Sequence, residues 1–65
     1  MKIEVNGASH EVQAATVAGV LAELGWGEAR VATALNGAFV PKAARGTMAV
    51  TEGDRLEVLA PMQGG

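Results

Sequence analysis

The residues in this sequence best suited to covalent chemistry are its last two, Gly64-Gly65. Neither carries a Cβ, so a carboxylate on Gly65 is sterically open, and the backbone before it can take conformations closed to other residues. Such a tail can thread a narrow channel in another protein and present its carboxylate for activation. Beginning at Met1 and ending at Gly65, the chain is expected to need no proteolysis to expose that group. From Pro61 onward, five extended residues reach at most about 16–18 Å, enough to cross a short tunnel while a folded body stays outside. Glycine is frequent, at 9 of 65 residues, so the dipeptide has to be weighed together with the elements that carry it.

The other chemistry-bearing residues form no constellation. His10 is the only histidine, and one imidazole among scattered carboxylates makes no metal site. It reads as a surface or hairpin-face residue. Glu52 and Asp54 flank Gly53 and could be taken for a carboxylate pair, but a turn accounts for them better. There is no Gly-x-x-x-x-Gly-Lys-Ser/Thr loop and no dinucleotide-binding glycine fingerprint, so the chain is expected to bind no ATP or other cofactor itself. No residue is assigned a catalytic role. Cysteine is absent. This excludes disulfides, thiolate metal sites and any carriage of sulfur as a persulfide. Trp26, between Gly25 and Gly27, is either a lid on the core or an exposed anchor.

To hold these residues in place, a chain of 65 residues forms one domain. A domain of this size buries only about 60% of the surface its unfolded chain exposes, so it rests on one compact core. An apolar content of 49% allows that core, although much of it is alanine and the aromatics are Trp26 and Phe39 alone. The formal net charge is -2, and the basic residues Lys2, Arg30, Lys42, Arg45 and Arg55 form no run, which argues against nucleic acid. No apolar stretch approaches the length of a membrane span, and Met1-Lys2-Ile3-Glu4-Val5 alternates instead of forming a signal-peptide block. The expected location is the cytoplasm.

Ile3 and Val5 share one strand face, with Lys2 and Glu4 on the other. Asn6-Gly7 then predicts a hairpin turn, because both turn positions need positive φ. The return strand is placed at about Ser9 to Gln13, with His10 and Val12 on one face. Val17, Val20, Leu21 and Leu24 make the i, i+3, i+4, i+7 stripe of a short amphipathic helix, capped by Thr16 and closed at Gly25. Gly19 inside it suggests a close approach to the sheet. Val31, Thr33 and Leu35 alternate with Ala32 and Ala34 as a strand. Asn36-Gly37 turns into a short strand at Ala38-Phe39-Val40, which Pro41 stops. Residues 42–47 read as an irregular connector containing one helical turn, and 52–54 as a turn. Leu56, Val58 and Ala60 form the inward face of the last strand, which Pro61 ends. The division is a folded domain at 1–61 and a flexible tail at 62–65, of α+β class.

Ala34-Leu35-Asn36-Gly37-Ala38-Phe39-Val40-Pro41, Glu52-Gly53-Asp54-Arg55-Leu56-Glu57-Val58 and the final Gly64-Gly65, in this order and spacing, resemble one known family. The opening Met1-Lys2-Ile3-Glu4-Val5-Asn6-Gly7 and the Thr16-to-Leu24 helix fit it too. The chain resembles the small ThiS-type sulfur-carrier proteins of thiazole (thiamin) biosynthesis, members of the ubiquitin-like β-grasp group. That resemblance covers nearly the whole chain. It implies a four- to five-stranded mixed sheet in which the first and last strands lie side by side, with one helix packed across it. It also implies that the chain is no enzyme but the substrate of one. A ThiF-like adenylyltransferase would spend ATP to adenylate the carboxylate of Gly65. A sulfur-donating enzyme would convert it to a thiocarboxylate, and a ThiG-like thiazole synthase would take the sulfur. Gly64 would keep the approach to Gly65 open.

Leu59 falls on the face opposite Leu56 and Val58, yet it is apolar. With Met62 and Phe39 it could form an exposed patch beside the tail for docking those partners; alternatively, the 42–47 connector covers it. Other functions share the features above. The small subunit of molybdopterin synthase has the same fold and tail on a usually longer chain. A ubiquitin-like modifier would join Gly65 to a lysine, and an inert interaction domain would leave the terminus unused.

Overall fold

The computed structural model describes residues 1–27 and 29–60. In chain order the elements are β1 (Lys2–Val5), β2 (Ala8–Glu11), α1 (Val17–Glu23), β3 (Ala32–Leu35), β4 (Ala38–Val40), a 3₁₀ turn (Lys42–Ala44) and β5 (Arg55–Leu59). The five strands form one sheet in the order β2-β1-β5-β3-β4. β1 runs parallel to β5, and the remaining pairs are antiparallel. First and last strands are therefore neighbours at the centre of a mixed sheet, with α1 across one face, as in the ubiquitin-like β-grasp.

Both Asn-Gly pairs make the predicted hairpins. Asn6 and Asn36 each sit at φ 51, and Gly7 and Gly37 each at φ 85, the paired positive values of a type I′ turn. The inward residues Ile3, Val5, Leu56 and Val58 meet Val17, Val20 and Leu21 of α1 in one cluster, which Val12 and Val50 complete. Leu24, Trp26 and Val31 pack on its margin, so Trp26 serves as a lid. Val50 belongs to the core although no periodic pattern surrounds it. An isolated bridge between Thr16 and Ala49 and the bond from Val50 N–H to the Ala15 carbonyl (2.9 Å) bring it in.

The helix spans only seven residues and depends on what surrounds its start. Thr16 Oγ1 accepts the Gly19 N–H at 3.1 Å. The N–H groups of Val17 and Ala18, which have no partner inside a helix, donate to the carbonyls of Met48 and Arg45 at 3.0 Å each. The connector thus serves as a second cap. Gly19 does mark a close approach, but to the incoming loop, not the sheet. A Cβ there would lie 2.8 Å from that of Ala14.

Some boundaries differ from the expected ones. β2 ends at Glu11, though the Val12 N–H still reaches the Met1 carbonyl at 2.8 Å and Val12 is buried. Val31 precedes β3 instead of opening it. Ala60 is exposed and lies beyond β5, not on its inward face, because the partner strand β3 begins at Ala32, which pairs with Leu59. Pro61, and with it the expected boundary between domain and tail, lies outside the described residues, as do Met62, Gly64 and Gly65.

Candidate functional site

Gly65 follows the end of β5 by six residues in the sequence, which makes β5 the described element nearest to it along the chain. Asn6 and Asn36 do more here than form turns. Beyond the end of β1, the Asn6 side chain takes over the ladder: its Oδ1 accepts the Val58 N–H at 2.8 Å, and its Nδ2 donates to the Val58 carbonyl at 3.0 Å. On the other flank, Asn36 Oδ1 accepts the Arg55 N–H at 2.9 Å, and the Asn36 N–H donates to the Arg55 carbonyl at 2.7 Å. Each amide pairs with β5 as one more strand residue would. β5 is held by β3 and Asn36 at its start, and by β1 and Asn6 toward its C-terminal end.

The turn that feeds β5 is fixed by carboxylates. Asp54 Oδ2 accepts the Thr51 N–H at 2.8 Å, and Oδ1 accepts Asn36 Nδ2 at 3.0 Å. The Thr51 backbone bond first, then the Asn36 amide, lower the Asp54 pKa below its ordinary value, against a smaller opposing effect of burial. Glu52 Oε1 accepts the Lys2 N–H at 3.0 Å. Both acids thus accept backbone N–H groups around the turn, the role expected of them.

On the sheet face turned away from α1, Phe39 is 68% exposed and Leu59 69%. That decides the question of Leu59: the connector leaves it open. Ala34 pairs with both Phe39 and Glu57, and Ala32 pairs with Leu59. Since paired residues point to the same side of a sheet, Phe39, Ala34, Ala32 and Leu59 share one largely apolar area, with the carboxylate of Glu57 on the same face. Met62, expected beside them, is outside the described residues. Behind this area Thr33 is buried. Its Oγ1 donates to the Val40 carbonyl at 3.0 Å and accepts from Arg45 Nε at 3.1 Å.

The basic residues are scattered along the sequence. The fold brings Arg30, Lys42 and Arg45 together along one groove beside Ala60. Lys42 and Arg45, three apart around a helical turn, were a local signal. The arrival of Arg30 depends on where β3 starts and had none. His10 pairs with Ile3 in the hairpin and is half-buried. Among the described residues no group of three metal-ligating side chains occurs, and no helix is long and apolar enough to cross a membrane.

The chain's likeness to known proteins agrees with this geometry. The profile of the ThiS family matches residues 3–65. A crystal structure of a thiamine biosynthesis protein (ThiS) from Geobacter metallireducens is 33% identical and superposes with a TM-score of 0.84, covering all of both chains. A solution structure of a thiamine biosynthesis protein from the same organism, 32% identical, gives a TM-score of 0.78 over all of this chain and 88% of that one. A thiazole synthase of Paramagnetospirillum magneticum is 39% identical over 66 residues. All of this chain is matched there, and it spans 20% of that relative's length. With the β-grasp topology, the family pattern running through Gly64-Gly65 and near-complete superposition on a ThiS structure, this chain belongs to the ThiS family.

Proposed function

We propose that this protein is a sulfur carrier of thiamine biosynthesis, with the carbonyl carbon of Gly65 as its working atom. The observation that carries this reading is the family match extending through Gly64 and Gly65, which follow in sequence a strand held on both flanks. A carboxylate is a poor electrophile, being anionic with an oxide-like leaving group. One carboxylate oxygen of Gly65 attacks the α-phosphorus of ATP on a ThiF-like adenylyltransferase. Pyrophosphate leaves and an acyl adenylate remains. Hydrosulfide released by a donating enzyme then attacks the carbonyl, AMP departs, and the product is a thiocarboxylate. A ThiG-like thiazole synthase consumes that sulfur, in keeping with the name of the Paramagnetospirillum relative. The carrier contributes reach and docking, and all catalytic groups and the nucleotide site belong to its partners.

The lack of cysteine supports acyl-bound sulfur, since a persulfide carrier needs a thiol. Phe39 and Leu59, with Met62 of the tail, form the apolar docking area, and Gly64 leaves room around the reacting carbonyl. The site of action is the cytoplasm. Thiazole formation is favoured over molybdopterin synthesis because the similar structures are thiamine biosynthesis proteins. Deletion of Gly65 tests the reading in cells that lack their own thiazole carrier. The intact chain restores growth without thiamin, and the shortened chain, equally folded, does not. Restoration by the shortened chain contradicts the proposal, and rescue only of molybdopterin-deficient cells moves the protein to that pathway.

A further inference from the structure

Three of the chain's five basic residues meet at the root of the tail. Arg30, Lys42 and Arg45 line an open groove with Val31, Leu59 and Ala60. Among the described residues lining it there is no carboxylate, in a chain whose seven acidic residues outnumber the basic ones. The Arg45 guanidinium is fixed to the wall by its bonds to Thr33 Oγ1 and the Val31 carbonyl, while Arg30 and Lys42 stand exposed. Cations are thus concentrated where the tail starts, and Leu59 joins the groove to the apolar area that also holds Phe39.

Five extended residues beyond Ala60 span at most about 16–18 Å, so an enzyme that reaches Gly65 comes within that distance of Ala60, which lines this groove. We infer that the groove seats an acidic protein surface: Asp and Glu side chains around the mouth of the partner's tail channel face Arg30, Lys42 and Arg45, while an apolar segment between them covers Leu59 and Val31. This rests on the carrier reading for the position of the partner and adds the partner's chemistry. Charges on an interface rim steer encounter and set register more than they deepen affinity, and salt screens them. The net negative chain would otherwise repel an acidic channel mouth, and the local cation cluster reverses that field where contact is made.

Arg30→Glu and Lys42→Glu are compared with Lys2→Glu, which alters net charge equally but lies on β1, away from the groove. Melting curves establish that each variant is folded. Association with the ThiF-like adenylyltransferase and the thiazole synthase of the same organism is timed at about 50 mM and about 500 mM salt. The two groove variants associate about threefold or more slowly at low salt, the deficit shrinks at high salt, and Lys2→Glu stays near the unaltered chain. Equal association rates for all three variants overturn the inference. Saturable ATP binding to the free chain that only the groove variants lose also overturns it, since the groove would then belong to a nucleotide. A chain that binds through Arg30 and Lys42 but never acquires sulfur upholds the groove and overturns the carrier reading.

Discussion

Replacing Asn6 with glycine removes the side chain that completes the β1–β5 ladder while keeping a residue able to hold φ 51. The Val58 N–H and carbonyl lose partners at 2.8 and 3.0 Å, next to a side chain that is 5% exposed. Each lost bond costs about 1 kcal/mol net, and more if water cannot replace it. An added glycine also loosens the unfolded chain, by about 0.5–1 kcal/mol. The total is about 2–4 kcal/mol, a large share of the roughly 3–10 kcal/mol expected for a domain of this length. In a thermal melt even the lower figure is a fall in Tm of about 8–16 °C. Asn6→Ala should lose about 1 kcal/mol more, from the left-handed backbone imposed on a residue with a Cβ. Amide hydrogen exchange gives a local readout: in Asn6→Gly the Val58 amide should exchange much faster relative to that of Leu56 than in the unaltered chain. A melt within about 0.5 kcal/mol of the original, with Val58 still protected, would refute the argument that Asn6 acts as a strand residue.

Leu59→Lys should leave the melting temperature unchanged, because the side chain is 69% exposed, and should weaken binding to the adenylyltransferase and the synthase; calorimetric titration showing equal affinity removes Leu59 from the interface. Gly19→Ala should destabilise by about 1 kcal/mol in urea, despite alanine's better helix propensity, because its Cβ would meet that of Ala14 at 2.8 Å and a backbone must shift. The folded-state pKa of Asp54 is lowered from 3.8, so its contribution to stability is complete above the unfolded value and is lost as pH falls through the folded one. The stability gap between the unaltered chain and Asp54→Ala, measured by urea unfolding, should therefore be constant near neutrality and narrow in acid; a gap that widens in acid contradicts the assignment.

Much of the fold was legible because its signals are local. Two Asn-Gly pairs each announce a hairpin, and the Val17, Val20, Leu21 stripe behind Thr16 announces a helix, since turn chemistry and periodicity act over a few residues. The central pairing of β1 with β5 was not written in any local pattern. It joins Val5 to Leu56 across the whole chain, and only the family resemblance supplied it. The second role of Asn6 and Asn36, as side chains substituting for strand backbone, was equally hidden, because a turn accounts for an asparagine followed by glycine without remainder. Val50 enters the core through contacts with a loop, where periodicity has nothing to report. At the site, residue type showed only that a carboxylate on Gly65 would be sterically open, and alternation placed Leu59 opposite Val58 without deciding whether the 42–47 connector covers it, which the fold answers by leaving it exposed. The convergence of Arg30 with Lys42 and Arg45 could not be read, because it depends on the path of the chain between α1 and β3.

As a carrier, the protein receives sulfur on the carbonyl of Gly65. Mass spectrometry of the C-terminal peptide, after incubation with ATP, a sulfur source and the ThiF-like adenylyltransferase, tests it most directly. The expected result is exchange of one oxygen for one sulfur, confined to Gly65 and dependent on ATP. An unaltered terminus, a branched peptide through lysine, or sulfur found on any other residue would contradict it.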